Sequence, residues 1–145
     1  MKDDHGTLAL ENQLCFRLYS ASKEIVRRYK PYLDPLGLTY TQYIVMMALW
    51  AEESMSVKEL GARLGLDSST LTPVLKKLQA DGCITRERST EDERVMIATL
   101  TDEGRDLHDR AMQVPPSMAL DLGVDPKLGM ELAKLLDEFL RQIKE

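Results

Sequence analysis

Apolar residues recur at helical spacing over most of this chain. From Leu10 to about Tyr29 they return every three or four positions, which predicts an amphipathic helix. The segment from about Thr41 to Glu52 is apolar on most sides and predicts a largely buried helix. Because proline cannot donate a backbone hydrogen bond, we expect Lys30-Pro31 to bend or end the first helix.

Two shorter helices should follow, and each has a recognisable start. Ser56-Val57-Lys58-Glu59 has the pattern of a capping box and predicts a short helix that ends at Gly65. Asp67 is the expected N-cap of a second helix, which runs from Ser68 to about Ala80. Pro73 lies beyond the first turn of that helix, where we expect a bend or a carbonyl bonded by another group.

The hydrophobic period then changes from helical to strand-like. Residues 83–88 and 95–100 predict two strands joined by the polar turn 89–94. Thr101-Asp102 caps a further helix that we expect to run to Pro115-Pro116, and a last helix begins at Asp125. The chain is therefore predicted to be mainly α with a small β-ribbon.

The order of short helix, tight turn, second helix and charged ribbon predicts a winged helix-turn-helix. Such a second helix enters the major groove of B-DNA, and the ribbon tip can reach a neighbouring minor groove. We expect Arg94 to enter that minor groove and Asp92 to orient its guanidinium group. The candidate DNA-binding residues are Ser68, Ser69, Thr70, Thr72, Lys76, Lys77, Arg86, Arg88, Asp92 and Arg94. Taken singly, such residues are more often caps and solvated faces, so the prediction depends on their order.

Charge and cysteine content narrow the possible functions. The net charge of -5 argues against nonspecific nucleic-acid affinity for the whole molecule, although the segment 55–100 is neutral. Cys15 and Cys83 match no zinc or disulfide spacing, and His5 and His108 lie in acidic or exposed-looking sequence. We therefore expect two free thiols and no metal or cofactor.

The distribution of apolar residues also predicts where in the cell the protein is found. The polar start MKDDHGTLAL does not resemble a signal peptide, and no apolar run approaches the roughly 18 residues of a membrane span. We expect a cytoplasmic protein with no membrane partner.

The run from Leu64 to Gly104 resembles the recognition helix and wing of the MarR family, with the D-x-R pattern of that family at Asp92-Glu93-Arg94. The resemblance extends over essentially the whole chain, including LENQLCFRLYSAS near the start and the segment 38–43. Within the family the chain is similar to the one-cysteine type of the organic hydroperoxide resistance regulators. Cys15 stands at the position of their sensing cysteine.

This resemblance implies a homodimeric repressor that binds an inverted-repeat DNA operator and releases it when an organic hydroperoxide oxidises Cys15. It also implies that Tyr29 and Tyr40 of one subunit approach Cys15 of the other, and it implies no enzymatic activity. The expected regions are an N-terminal sensing and dimerisation helix (1–40), a winged helix-turn-helix DNA-binding region (41–100) and C-terminal dimerisation helices (101–145).

Helical geometry adds detail to the expected thiol site. Cys15 and Tyr19 lie four residues apart on one helix face, where the phenol could donate to the sulfur. Tyr29 is about 21 Å further along the helix axis, so it can approach Cys15 only across a dimer. Without the resemblance, Cys15 would be interpreted as a small inert core residue, which is how we interpret Cys83.

The fate of an oxidised Cys15 follows from its expected neighbours. Cys83 does not match the resolving cysteine of the two-cysteine relatives. We therefore expect a mixed disulfide with a small cellular thiol, a cyclic sulfenamide or overoxidation. An apolar approach for the peroxide is expected among Leu14, Phe16, Leu18 and the Met46-Met47 region.

Other functions use parts of the same pattern. A MarR-type repressor released by reversible binding of a phenolic or other small ligand would need the DNA-binding region but not Cys15. A thiol peroxidase would use a reactive cysteine through many turnovers. A pure protein-interaction module would leave the order of recognition helix, charged wing tip and wing arginine unexplained.

Overall fold

A computed structural model describes residues 4–144 of the chain, with side chains from residue 6 onward. The helices are α1 (Asp4–Leu8), α2 (Leu14–Leu33), α3 (Tyr40–Glu52), α4 (Val57–Leu64), α5 (Ser68–Ala80), α6 (Asp102–Ala111), α7 (Val114–Leu122) and α8 (Pro126–Lys144). The strands are β1 (Ser54–Ser56), β2 (Ile84–Arg88) and β3 (Met96–Leu100). Short 3-10 turns occupy Leu10–Asn12 and Asp34–Leu36. The predicted terminal regions start at residue 1 and finish at residue 145, and both of these ends lie outside the described residues.

The first long helix, α2, differs from its prediction at both ends. It begins at Leu14, because Gln13 has extended backbone angles and separates it from the 3-10 turn before it. It also continues through Pro31 to Leu33, so the expected end at Lys30-Pro31 was wrong. Leu33 is only 1% exposed, and its burial in the core favours the extra turn despite the donor that proline removes.

The helix-turn-helix forms as predicted from its caps. The Ser56 hydroxyl accepts from the backbone of Glu59, and the Glu59 side chain accepts in return from the Ser56 N–H. Gly65 ends α4 with a φ of 67°, a left-handed conformation that suits glycine. Helix α5 then runs without interruption through Pro73.

The wing is a three-stranded sheet rather than the two-stranded ribbon we predicted. β3 lies in the centre, with β2 on one side and the short β1 on the other, and both pairings are antiparallel. Ile84 faces Leu100 at the base of the wing, and Arg88 faces Met96 near its tip. The fold is mainly helical with a small antiparallel sheet, as expected.

One apolar core joins the winged helix to the segments after it. Its central side chains come from α3, α4, α5 and the sheet, and they include Val45, Met46, Leu49, Leu60, Leu71, Leu75, Leu78 and Ala98. α6 and α7 add Leu107, Val114 and Met118 to the same cluster. Met46 is completely buried, so it cannot line an approach for a peroxide, and this part of the prediction was wrong.

Pro115 and Pro116 lie at the start of a helix and not at the end of the preceding one, as we had predicted. α6 ends at Ala111, and the two prolines occupy the first turn of α7, where their missing N–H groups would have no helical partner. Gly123 ends α7 with a φ of 59°.

The terminal helices carry exposed apolar faces. Within residues 126–144, α8 contains no buried residue, although Leu128, Leu132, Leu135, Leu140 and Ile143 lie along it. Near the other end, Leu8 is 80% exposed, and Leu10 and Leu14 are each more than half exposed. Between residues 4 and 144, no helix combines the length and the apolar character needed to cross a bilayer.

Candidate DNA-binding surface and thiol site

The start of α5 is fixed by its N-cap. The carboxylate of Asp67 accepts a hydrogen bond of 2.8 Å from the backbone N–H of Thr70 and one of 2.7 Å from the Ser69 hydroxyl. The Ser69 hydroxyl and the Thr70 N–H also lower the pKa of Asp67. The Ser69 hydroxyl therefore supports the cap, whereas Ser68 and Thr70 are exposed and Thr72 is half-buried.

The basic residues predicted to contact DNA are not equivalent. Lys77 forms an ion pair of 3.0 Å with Asp81, and the Nε of Arg86 donates to the side-chain oxygen of Gln79 at 2.8 Å. Arg86 thus links β2 to α5, a contact that the sequence pattern gave no reason to expect. Lys76 is exposed and has no carboxylate partner among the residues that the structure describes.

The wing tip is a hydrogen-bonded turn around Asp92 and Arg94. The guanidinium of Arg94 donates to both carboxylate oxygens of Asp92, at 3.1 and 3.2 Å, and the Arg94 N–H donates to one of them at 3.0 Å. This contact with Arg94 lowers the pKa of Asp92. The predicted pairing of the two residues is present, and it leaves the Arg94 side chain 91% exposed.

Two further residues hold this turn together. Arg88 donates from Nη1 to the carbonyl of Glu93 at 2.9 Å. The Ser89 hydroxyl accepts from the backbone N–H groups of Glu91 and Asp92, at 3.2 and 3.4 Å. Ser89 was not among the predicted residues, although a serine three positions before an aspartate is a recognisable turn signal.

Cys15 lies at the N-terminal end of α2. It is the second residue of the helix after the Gln13 cap position, and its side chain is exposed. The free N–H groups of a first helical turn carry partial positive charge, which favours an anion at this position. The thiol therefore lies closer to the helix end than the apolar pattern predicted.

Tyr19 shares a helix face with Cys15 but makes a different contact. Its ring is 60% exposed and lies under the ammonium group of Lys23, with Nζ 5.2 Å from the ring centroid. Within residues 6–144, no hydrogen bond joins the Tyr19 hydroxyl to the Cys15 sulfur. In this structure, Tyr19 therefore lies on the same helix face as Cys15 without the expected hydrogen bond to the thiol.

Tyr29 and Tyr40 meet in one aromatic cluster that also contains Tyr43. The ring centroids of Tyr29 lie 4.9 Å from Tyr40 and 5.7 Å from Tyr43. Burial, with smaller contributions from the two neighbouring phenols, raises the pKa of Tyr29, so its hydroxyl stays protonated at neutral pH. The cluster lies far from Cys15 of the same chain, because 14 residues of continuous helix separate Tyr29 from it, a rise of about 21 Å.

Cys83 has the features of a structural residue. It is buried in the core beside Ile84, and burial raises the pKa of its thiol. A protonated, buried thiol is a poor nucleophile. Its placement agrees with the interpretation of Cys83 as a small apolar residue at the start of the wing.

A separate apolar cavity of about 330 Å³ opens between α3 and α6. Its lining residues include Tyr43, Met47, Trp50, His108 and Met112. Met47, unlike Met46, faces this space and is 46% exposed. The cavity is large enough for a small aromatic molecule.

Comparison with known proteins places this geometry in a family. The family model described as Transcriptional regulator SarA/Rot matches residues 27–111. The chain is 46% identical over 134 residues to the organic hydroperoxide resistance transcriptional regulator of Bacillus subtilis (strain 168), covering 92% of this chain and 88% of that protein.

Solved structures agree with the sequence match. The structure of reduced AbfR bound to DNA superposes with a TM-score of 0.80 at 34% identity and full coverage of both chains. AbfR is a protein of Staphylococcus epidermidis. Its disulfide-formed state superposes less well, with a TM-score of 0.66 at 34% identity, over 96% of this chain and 98% of that one. The chain therefore belongs to the MarR family of winged helix-turn-helix transcriptional regulators, and within it to the organic hydroperoxide resistance regulator group.

Proposed function

We propose that this chain is a cytoplasmic, homodimeric repressor that binds an inverted-repeat DNA operator and releases it when organic hydroperoxides oxidise Cys15. One observation carries the proposal. An exposed thiol stands in the first turn of α2, in a chain nearly half identical to an organic hydroperoxide resistance regulator.

The exposed terminal helices support the dimer. α8 has an apolar stripe with no buried residue, and Leu8, Leu10 and Leu14 are exposed at the other end of the chain. Faces of this kind are covered in stable proteins, and a second copy with the same faces can cover them by two-fold symmetry. The regions 1–40 and 101–145 then supply the dimer contacts, and 41–100 supplies the DNA-binding region.

The dimer also completes the thiol site. Tyr29 and Tyr40 form one cluster that cannot reach Cys15 of their own subunit. With the two α2 helices antiparallel across the two-fold axis, the cluster of one subunit faces Cys15 of the other. The phenol hydroxyls of Tyr29 and Tyr40 then donate hydrogen bonds to the thiolate, and these bonds add to the stabilisation that the partial charge of the helix end provides.

Oxidation proceeds in two steps. The Cys15 thiolate attacks the outer oxygen of the hydroperoxide, the O–O bond breaks, and sulfenic acid and an alcohol form once the alkoxide takes a proton. A small cellular thiol then attacks the sulfenic sulfur and releases water, which leaves a mixed disulfide. Because Cys83 is buried and protonated, it does not compete for this second step.

The mixed disulfide changes the relative position of the two subunits, and that position determines the affinity for DNA. The added group occupies space between packed helices and displaces the phenol hydrogen bonds. The two recognition helices α5 then no longer fit successive major grooves, which lie about 34 Å apart. The better superposition on reduced, DNA-bound AbfR than on its disulfide-formed state supports an account in which the described conformation is the DNA-binding one.

The chemistry can be tested on purified protein treated with one equivalent of cumene hydroperoxide and excess small thiol. Mass spectrometry of peptides should find the mixed disulfide at Cys15, and the loss of operator binding should follow the modified fraction. If operator binding is lost while Cys15 remains a free thiol, the proposal is wrong.

Reversible release by a phenolic or other small ligand is the second candidate, and the cavity between α3 and α6 favours it. Such a repressor does not need Cys15. Ligand-induced release from DNA that persists in Cys15→Ser would select this function.

A further inference from the structure

The first turn of α6 lies in unusually close contact with the turn that joins α5 to β2. Gly104 is buried, and a Cβ atom added to it would lie 2.1 Å from the carbonyl oxygen of Cys83 and 3.3 Å from a methyl carbon of Leu100. Its φ is not positive, so glycine is required here by space and not by backbone conformation. Only the absence of a side chain at residue 104 lets the two segments approach so closely.

Hydrogen bonds stabilise this close contact between the start of α6 and the turn after α5. The Thr101 hydroxyl donates to the carbonyl of Gly82 at 2.5 Å and accepts from the N–H of Gly104 at 3.0 Å. The backbone N–H of Thr101 donates to the carbonyl of Cys83 at 3.1 Å. Gly82 and Cys83 lie two and three residues beyond Ala80, the last residue of α5, and the Cys83 N–H donates to the carbonyl of Leu78 within α5. The N-cap residue of α6 is thus bonded to the turn that follows the recognition helix, and that turn is bonded back to the helix.

The end of α3 is attached to the same turn of α6. The indole Nε1 of Trp50 donates to the carbonyl of Gly104 at 2.8 Å. Glu53 forms an ion pair with Arg105, and Arg105 also pairs with Asp102 at 2.6 Å. We call the set Trp50, Gly82, Cys83, Thr101 and Gly104 the α6 junction.

We propose that Gly104 is a positioning residue for operator recognition, because it allows the α6 junction to close and so makes α6 and the recognition helix α5 move as one body. The proposal rests on the proposed function, since it concerns how the arrangement of the two subunits affects DNA binding. α6 is connected through α7 to the exposed helix α8. Because the closed α6 junction is rigid, a displacement of the terminal helices also displaces α5.

Gly104→Ala tests this directly. The new methyl group must move α6 away from the Cys83 carbonyl by roughly 1 Å to reach an ordinary contact distance. We expect affinity for a duplex selected by the wild-type protein from random sequences to fall at least tenfold, with the rate of Cys15 alkylation by iodoacetamide unchanged.

Half-site spacing separates positioning from simple loss of folded protein. Each variant is measured on the selected duplex and on duplexes with one base pair added or removed between the half-sites. A smaller folded fraction lowers all three apparent affinities by the same factor. A moved recognition helix changes their ratios, and we expect Gly104→Ala to discriminate at least threefold less against one of the altered spacings.

A pair of substitutions at Thr101 covers the case in which Gly104→Ala does not fold. Thr101→Ser keeps both hydroxyl hydrogen bonds and should behave as wild type, whereas Thr101→Val removes them and should change the spacing ratios. If the wild-type spacing ratios persist in Gly104→Ala, or in Thr101→Val where the first variant does not fold, the positioning role is wrong. Failure of the wild-type protein to select any duplex would instead contradict the proposed function itself.

Discussion

Asp92 holds the guanidinium of Arg94 at the tip of the wing through two side-chain hydrogen bonds while the arginine stays almost fully exposed. An arginine fixed in direction loses less conformational freedom when it binds than a freely rotating one. In the proposed complex with DNA, this arrangement presents a positive charge where the wing meets a minor groove.

Arg94→Ala should weaken operator binding and lower the salt dependence of the binding constant by about one counterion. The expected loss in affinity is roughly tenfold or more, because both a positive charge and a groove contact are removed. Binding measured over a series of salt concentrations gives the slope. Arg110→Ala, whose guanidinium contacts the Pro35 carbonyl, is the control for removal of an arginine elsewhere. An unchanged slope in Arg94→Ala would exclude a wing-tip contact with DNA.

Asp92→Asn should weaken operator binding at every pH between 5 and 8, by a smaller factor than Arg94→Ala. The contact with Arg94 lowers the pKa of Asp92, so the carboxylate is charged throughout this range. Its contribution is present above the usual aspartate pKa and is lost only as the pH falls through the lowered value. Affinities of the wild type and the variant at pH 5 and pH 8 test this. A variant that matches wild type at pH 5 but not at pH 8 would contradict the sign of the shift.

Mixed dimers should show that Tyr29 acts on the other subunit's thiol. A dimer of Cys15→Ser with Tyr29→Phe has one thiol, which faces an intact Tyr29, and it should react with cumene hydroperoxide at the wild-type rate. A dimer of wild type with the Cys15→Ser, Tyr29→Phe double variant has one thiol that faces phenylalanine, and it should react several-fold more slowly. Differently tagged chains allow both mixed dimers to be purified. Equal reaction rates in the two mixed dimers would show that Tyr29 does not act on the thiol.

Cys83→Ala should leave peroxide-induced release intact and lower stability by about 1 kcal/mol. The side chain is buried in the core, so its removal leaves a small unfilled space. Urea denaturation measures the stability change, and operator binding before and after peroxide treatment measures the response. A Cys83→Ala protein that no longer responds to peroxide would show that the second cysteine takes part in sensing.

The sequence predicted the elements that have local signals. The capping box at Ser56 and the N-cap at Asp67 each fix a helix start through bonds within four residues, and the structure contains both. The Asp92 and Arg94 pair is equally local. The assignment of Cys15 to a sensing role depended on family resemblance, because an apolar helix face by itself predicts an inert cysteine.

The differences arise where distant contacts decide the local structure. β1 has only three residues, and it is a strand because Met55 pairs with Ala98 of β3. α2 passes Pro31 because Leu33 reaches the core. The contact of Gly104 with Cys83 joins segments 21 residues apart, and no short pattern reports it.

The most direct test of the account is operator release by cumene hydroperoxide in the presence of a small thiol, compared between wild type, Cys15→Ser and Cys83→Ala. Wild type and Cys83→Ala should lose the operator as about one equivalent of peroxide per subunit is consumed, and reduction with dithiothreitol should restore binding. Cys15→Ser should bind the operator with wild-type affinity and retain it at every peroxide concentration that releases wild type. Peroxide-induced release from Cys15→Ser would contradict the account.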